Sequence, residues 1–171
     1  MLKNKIFFVI KDSYISLKAE RSMVRKPLLD GMLVCFIDKA ENLQFPLKSQ
    51  NECQLQADVF VSGRIGPTIL FKTRAIKNSA NPVWHKKFRN SLHHEADYIT
   101  INVRNLINDL GGSSEVASVK FPCDDIIKGS KIDGWFDLQF DNKEVGRIKM
   151  SLEYHSKEEI EKMRNDKVTK D

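Results

Sequence analysis

The stretch KNSANPVWHKKF, Lys77–Phe88, places a turn, a tryptophan and three lysines within twelve residues. Pro82 fixes its own backbone φ and pushes Asn81 towards an extended conformation. The Asn81 side chain can also hydrogen-bond nearby backbone, which stabilises a turn. We therefore expect a strand to begin at Val83. The clustered lysines have two interpretations: the solvated face of that strand, or a surface that holds an anion.

On both sides of this stretch the sequence has strand character. The clearest case is residues 146–154, GRIKMSLEY, where apolar and polar residues alternate with the period of a half-buried strand. Turn residues such as Gly111-Gly112 separate the segments. The eight candidate strands are GMLVCFID, QLQADVFV, ILFKTRAI, VWHKKF, YITINV, VASVKF, WFDL and GRIKMSLEY. Many short strands with no helical pattern between them predict an all-β fold, an eight-stranded antiparallel β-sandwich.

We expect this sandwich to occupy residues 31–155, with a short helical extension at each end. Residues 1–30 form an N-terminal extension without an assigned role, in which Ser13 to about Val24 predicts a helix that stops before Pro27. Residues 156–171 predict a short C-terminal helix and tail, which begins with a capping box of Ser156 and Glu159. The segment CDDII predicts a one-turn helix or compact loop. The core is expected to include Trp135, Phe136, Ile148, Met150 and Leu152.

Composition and charge favour a cytoplasmic protein with anionic partners. The 171 residues carry 28 Lys and Arg against 23 Asp and Glu, a formal net charge of +5. Cys35, Cys53 and Cys123 are widely spaced, which favours reduced thiols in an intracellular protein. The apolar run from Ile6 to Ile10 is too short for a signal peptide or a membrane span. We expect attachment at the periphery of a membrane.

The run from Gly31 to Tyr154 resembles a C2 domain, the calcium- and lipid-binding β-sandwich module. The Asn-Pro-x-Trp motif at residues 81–84, between two candidate strands, is the most specific part of the resemblance, and AENL at residues 40–43 adds to it. DGWFDL followed by GRIKMSLEY is most similar to the N-terminal C2 domain of plant-type phospholipase D. The resemblance implies a module that targets membranes by binding phospholipid.

Catalysis is not expected. Phospholipase D uses two copies of His-x-Lys-x4-Asp, in which the histidine attacks phosphorus. Here His85-Lys86-Lys87 supplies one His-x-Lys, but Leu92 stands where the aspartate is needed, and no second copy occurs. The sequence therefore predicts no enzymatic activity and no catalytic residue. An alternative left open is the C2 part of a truncated phospholipase D without its catalytic domain.

Calcium binding is expected to be weak or absent, and no other cofactor is indicated. Calcium takes about six to eight oxygen ligands, which calcium-binding C2 domains supply from aspartates in the loops at one end. The resemblance places the acidic start of the second strand near residues 53–55, where no acid occurs. In the third loop the family's two aspartate positions carry Asn105 and Ile107. The remaining weak candidates for metal ligands are Glu52, Asp109 and Glu115.

The basic residues around the Asn-Pro turn are the best candidate site. No acid occurs between Phe71 and Leu92. If the strands ILFKTRAI and VWHKKF pair antiparallel, the basic residues form one patch with Trp84 at its edge, although Lys86 and Lys87 must point to opposite faces unless a bulge intervenes. The candidate lipid-binding residues are Lys72, Arg74, Lys77, Trp84, Lys86, Lys87 and Arg89.

This basic patch has three interpretations. The first is an anionic phospholipid surface, and the second is a protein-interaction scaffold that binds a protein partner. In the third, the basic residues are only the solvated face of a sandwich. Nucleic acid is not expected as a partner, because single-strand binders add several stacking aromatics and only Trp84 is suitably placed.

Overall fold

The computed structural model describes residues 25–45, 57–107, 110–129 and 131–168, with side chains up to residue 166. It contains eight strands and two short helices, in the order β1 Leu28–Glu41, β2 Asp58–Ile65, β3 Thr68–Lys72, β4 Val83–Glu95, β5 Tyr98–Leu106, β6 Ser113–Pro122, α1 Cys123–Ile127, β7 Ile132–Phe140, β8 Lys143–Ser156 and α2 Lys157–Val168. The predicted all-β fold is confirmed. The N-terminal helix expected around residues 13–24 lies outside the described residues.

All strand pairs are antiparallel, and the hydrogen-bonded order is β3-β2-β5-β6-β7-β8-β1-β4. The link between β6 and β7 is a single residue pair, Ser118 with Gln139. This weak link divides the order into two four-stranded halves, β3-β2-β5-β6 and β7-β8-β1-β4. The core cluster draws its buried residues from both halves, so the halves face each other as a sandwich.

The core follows the period-two pattern of the sequence. Ile148, Met150 and Leu152 of β8 are at most 1% exposed, which confirms their predicted place in the core. Phe136 is half-buried and packs against the same cluster. The prediction for Trp135 is wrong, because its side chain is 37% exposed. Adjacent strand residues point to opposite faces, so Phe136 faces the core and Trp135 faces out.

The two helices agree with the sequence. CDDII forms the one-turn helix α1. At the start of α2, the Glu159 carboxylate accepts from the Ser156 N–H at 2.9 Å, and the Ser156 hydroxyl accepts from the Glu159 N–H at 3.3 Å. This reciprocal pair is the predicted capping box. Within the described residues, neither helix is long and apolar enough to cross a membrane.

Candidate functional site

The Asn-Pro turn is anchored to the end of β1. The Asn81 side-chain oxygen accepts a hydrogen bond from the Asn42 N–H at 2.9 Å. The Pro82 carbonyl accepts from the Ala40 N–H at 2.9 Å, and the Ala80 carbonyl accepts from the Leu43 N–H at 3.0 Å. Asn81 therefore does bond backbone, as expected, but to a strand end 39 residues away in sequence. These bonds set the position at which β4 begins.

The third and fourth strands do not pair with each other, so the condition for a single basic patch is not met. β3 pairs with β2, and β4 pairs with β1, so each is the outer strand of its own half of the sandwich. The two strands meet instead through side chains: the rings of Phe71 on β3 and Phe88 on β4 stack with centroids 4.4 Å apart. The basic residues on β3 and β4 consequently come together around one edge of the sandwich, and not on one sheet face.

Trp84 belongs to the core. Its side chain is 5% exposed and lies in the buried cluster. The expectation that it forms the edge of a surface patch is therefore wrong. The expectation failed because Trp84, near the start of β4 and directly after the Asn-Pro turn, points into the core between the two halves.

The remaining six basic candidates are exposed. Lys72 follows Phe71, and its ammonium lies 4.0 Å from the centroid of the Phe60 ring on β2. On the other half of the sandwich, Lys87 and Arg89 flank Phe88. Lys72, Arg74, Lys77, Lys86, Lys87 and Arg89 are called the basic edge below.

A bulge at the start of β4 sets the direction of these lysines. The register between β1 and β4 shifts between Ile37 and Lys39, and His85 has a φ of 47° in the left-handed region. After the bulge, Lys86 lies opposite the buried Ile37 and Lys87 lies opposite Phe36. Directly paired residues share a face. Lys86 therefore points towards the gap between the two halves, and Lys87 points to the outer face.

The bulge also brings His85 close to Asp38, a contact that the sequence did not suggest. His85 Nδ1 lies 2.5 Å from Asp38 Oδ1, and Lys149 Nζ lies 3.7 Å from Asp38 Oδ2. Asp38 itself is only 9% exposed. A nearly buried carboxylate needs such partners, because an unpaired buried charge is costly. His85 therefore has a structural contact. Leu92 stands at the position where a phospholipase D motif needs aspartate, and its side chain is buried in the core, 3% exposed.

A second charged cluster surrounds Trp135. Lys39 Nζ lies 5.3 Å and the Arg147 guanidinium 4.5 Å from the indole ring. The Glu41 carboxylate accepts from Lys39 and from Arg147, each at 2.9 Å. Those two hydrogen bonds hold the pKa of Glu41 below its usual value. The sequence carries no local signal of this cluster, because its members come from β1, β7 and β8.

The calcium candidates are not brought together by the described residues. Glu52 and Asp109 lie outside them, and Glu115 is an exposed residue of β6. The described part of the chain holds no group of three or more metal-ligating side chains.

One placement in the loop alignment needs correction. The second strand starts at Asp58-Val59-Phe60-Val61, so an acid does stand at its start. The Asp58 carboxylate accepts from the Asn78 N–H at 3.2 Å, and the Asp58 N–H donates to the Asn105 side-chain oxygen at 3.1 Å. The alternating pattern predicted the start of this strand at Gln54, and the strand begins at Asp58.

Comparison with known proteins identifies the family. A family model described as C2 domain matches residues 31–138. The chain therefore belongs to the C2 domain family, as the fold and the Asn-Pro-x-Trp turn indicate.

Two relatives from Arabidopsis thaliana are similar in sequence. Phospholipase D delta is 33% identical over 84 residues, which is 49% of this chain and 9% of that enzyme. A calcium-dependent lipid-binding protein is 26% identical over 141 residues, which is 78% of this chain and 26% of that protein. The chain thus spans a minor part of each relative, and its similarity to phospholipase D is confined to the C2 region.

Solved C2 structures share the fold. A structure of Extended-Synaptotagmin 2 that covers its SMP domain and two C2 domains superposes with a TM-score of 0.60 at 21% identity, over 75% of this chain and 28% of that chain. At this identity the likeness shows the shared fold.

Proposed function

We propose that this protein is a peripheral membrane module that binds anionic phospholipid through the basic edge, with little or no dependence on calcium. The observation that carries the proposal is that six exposed cationic side chains lie on the two edge strands that meet at the Phe71–Phe88 contact, or on the segment between these strands. This stretch contains no acid from Phe71 to Leu92. Because the cations lie on both sides of one edge, the domain approaches the bilayer edge-on.

The strength of the charge attraction suits reversible attachment. A basic side chain close to an anionic bilayer contributes about 1 kcal/mol. Six such side chains give a few kcal/mol once geometry and salt are considered, since exposed charges are screened beyond about 10 Å at ordinary ionic strength. The protein would therefore bind anionic membranes and be released by added salt.

Weak calcium dependence is supported by the loop end of the sandwich. Among the described residues at this end, Asp58 and Asn105 carry the side-chain oxygens closest to the expected calcium positions. Both oxygens accept hydrogen bonds from backbone N–H groups. A divalent ion would have to compete with these hydrogen bonds. It would also give up its hydration water in exchange for only a few carboxylate oxygens. The proposal includes a cytoplasmic location. It also includes no catalysis, since His85 of the partial histidine motif lies against Asp38.

The test removes three cations from the basic edge. Replacing Lys72, Arg74 and Lys87 together by alanine should weaken binding to vesicles that contain phosphatidylserine by about 3 kcal/mol, at about 1 kcal/mol per residue. The fold should persist, because exposed substitutions usually change stability by less than about 0.5 kcal/mol each. Co-sedimentation with vesicles measures binding, and thermal unfolding followed by circular dichroism measures stability.

A matched control separates position from net charge. Lys120, Lys143 and Lys162 are also exposed but lie on β6, β8 and α2, outside the basic edge. Their triple alanine variant has the same net charge as the test variant and should bind nearly as well as wild type. If the basic-edge variant binds such vesicles as tightly as the control does, the lysines are only a solvated surface. A protein-interaction scaffold would then be the better interpretation.

A further inference from the structure

A groove runs across the outer face of the half-sandwich β7-β8-β1-β4, on the side away from Lys72. It has a volume of about 400 Å³, and its floor includes the half-buried side chains of Val34 and Phe36. Three lysines from three strands or their flanks line it: Lys87, Lys131 and Lys149. This volume is in the range of sites for small organic ligands.

Strand register explains why these side chains converge. Phe36 lies opposite Lys87 on β4 and opposite Ser151 on β8, so the three form one row on the outer face. Lys149 is two residues before Ser151 on the same strand and therefore points to the same face. Adjacent strands are about 4.8 Å apart. The two lysine side chains can thus reach one group seated over Phe36.

Each acid that also lines the groove lies near a lysine or a histidine. Lys131 pairs with Asp133 at 3.2 Å, and Glu153 lies 3.5 Å from His155. His85 Nδ1 lies 2.5 Å from Asp38 Oδ1, and Lys149 Nζ lies 3.7 Å from Asp38 Oδ2. At 3.7 Å the Lys149 ammonium is too far from Asp38 Oδ2 for a hydrogen bond, so its N–H donors remain available to a ligand.

The uncompensated charge lies at the β4 side of the groove. Among the described residues, Lys87 has no ion-pair partner, and Arg89, the next outward residue of β4, has none either. A cation is disfavoured there, because the described residues contain no group of three or more metal-ligating side chains. An anion with a compact polar body is the ligand that matches two lysines, a serine and an aromatic floor.

We propose that this groove binds a phosphate monoester, with Lys87 and Lys149 contacting the phosphate and Phe36 and Ser151 beneath the body of the ligand. A phosphate monoester carries nearly two negative charges at neutral pH and three acceptor oxygens, which matches two lysines better than a singly charged phosphodiester does. The phosphate can belong to a soluble phosphorylated compound or to a lipid headgroup. The proposal does not depend on membrane attachment through the basic edge.

The soluble arm uses sodium glycerol 3-phosphate as the probe, followed by amide chemical shifts in nuclear magnetic resonance, with sodium chloride at equal ionic strength as the blank. Amides of Phe36, Lys87 and Lys149 should shift on titration. Lys149→Ala and Lys87→Ala should each weaken binding about tenfold, as loss of a charge-assisted hydrogen bond does. Lys72→Ala, on the other half of the sandwich, should leave the affinity unchanged.

The membrane arm uses phosphatidylcholine vesicles that contain either phosphatidic acid, a monoester, or phosphatidylglycerol, a diester, at equal surface charge. A headgroup ligand is indicated if Lys149→Ala lowers binding to the phosphatidic acid vesicles about tenfold and spares the phosphatidylglycerol vesicles. A soluble ligand is indicated if only the glycerol 3-phosphate titration responds.

Lys149 and Lys72 distinguish this proposal from membrane binding by the basic edge, since Lys87 belongs to both surfaces. If Lys149→Ala changes neither the titration nor phosphatidic acid binding, the groove is not a phosphate site. Loss of vesicle binding in Lys72→Ala alone would support the basic edge and exclude a lipid headgroup as the ligand of the groove. Loss of phosphatidic acid binding in Lys149→Ala alone would support the headgroup as that ligand and count against the basic edge. Thermal unfolding of each variant checks that the fold is retained.

Discussion

Gly31 shows how one residue permits the pairing of two strands. A Cβ atom at this position would lie 2.1 Å from the carbonyl oxygen of His155 on β8, far inside van der Waals contact. The neighbouring atom is backbone and cannot rotate away, as a side chain could. Gly31 therefore allows β1 and β8 to approach closely at the place where α2 begins, and β1 is the strand that carries the floor of the outer groove.

Gly31→Ala should lower the free energy of unfolding by about 1–3 kcal/mol, the usual cost of forcing extra atoms into a packed site. Urea denaturation measures the loss as a lower midpoint. Ser91→Ala is the matched control, because Ser91 is an exposed residue of the neighbouring strand β4. Equal midpoints for the glycine and serine variants would show that β1 and β8 can separate without cost.

Glu41 links stability to pH through its two hydrogen bonds. Lys39 and Arg147 hold the folded-state pKa of Glu41 below its ordinary value of 4.5. A carboxyl whose pKa is depressed by folding stabilises the protein above its unfolded-state pKa, and this contribution disappears as pH falls through the folded-state pKa. The effect thus lies in the acidic range, below about pH 4.5.

Glu41→Gln should be less stable than wild type at neutral pH, and the difference should shrink as the pH is lowered below about 4.5. Urea denaturation at a series of pH values measures both curves. Glu144→Gln is a suitable comparison, since Glu144 is an exposed residue of β8 that lies opposite Gln139 and not opposite Arg147. A stability difference that stays constant down to strongly acid pH would mean that the two hydrogen bonds do not act on the ionised carboxylate.

Local chemistry explains the β7–β8 hairpin. The central residues of its two-residue turn, Asp141 and Asn142, have φ values of 49° and 60°. Positive φ at both positions is the signature of a type I′ turn, whose twist matches that of paired strands. Asn and Asp tolerate this conformation, and Gly accepts it at lower cost.

Asn142→Gly should therefore raise the free energy of unfolding by about 0.5 kcal/mol, because it removes side-chain strain at positive φ. Lys143→Gly, one residue later in β8, should lower it by about 0.5–1 kcal/mol, since glycine weakens a regular strand. Thermal unfolding compares the two variants with wild type. A change of the same sign in both would contradict the assigned turn.

The loop end and the basic edge give the whole molecule two different kinds of surface. The described loop end has few carboxylates, and Asp58 already accepts a backbone hydrogen bond. The stretch of chain that carries the basic edge contains no acid. On this arrangement, membrane attachment should respond to salt much more than to calcium.

Sub-millimolar calcium should barely change the melting temperature, because a ligand stabilises a fold by RT ln(1 + [L]/Kd) and a weak site gives a small term. Differential scanning fluorimetry with calcium, with magnesium and with chelator measures the shift. A large rise specific to calcium would reveal a tight site. Asp58, Asp109, Glu115 and Glu52 would then be the first residues to replace.

Several features could be predicted from the sequence because they depend on local order alone. Alternation in GRIKMSLEY identified the buried face of β8, and Ile148 and Leu152 lie where it predicted. Ser156 and Glu159 marked the start of α2. The Asn-Pro-x-Trp turn identified the family. Each of these signals acts between residues that are close in the chain, so no knowledge of the fold is needed to interpret it.

The candidate surfaces were decided by the tertiary structure. The sequence identified the cations around Phe88 but not which strands would pair, because strand pairing depends on contacts between distant segments. β3 and β4 became outer strands of opposite halves, which moved Lys72 and Lys87 to different faces. Burial of Trp84 and exposure of Trp135 followed from which side of each strand met the core. Periodicity shows that two neighbours face apart, and only the packed sandwich shows which one faces water.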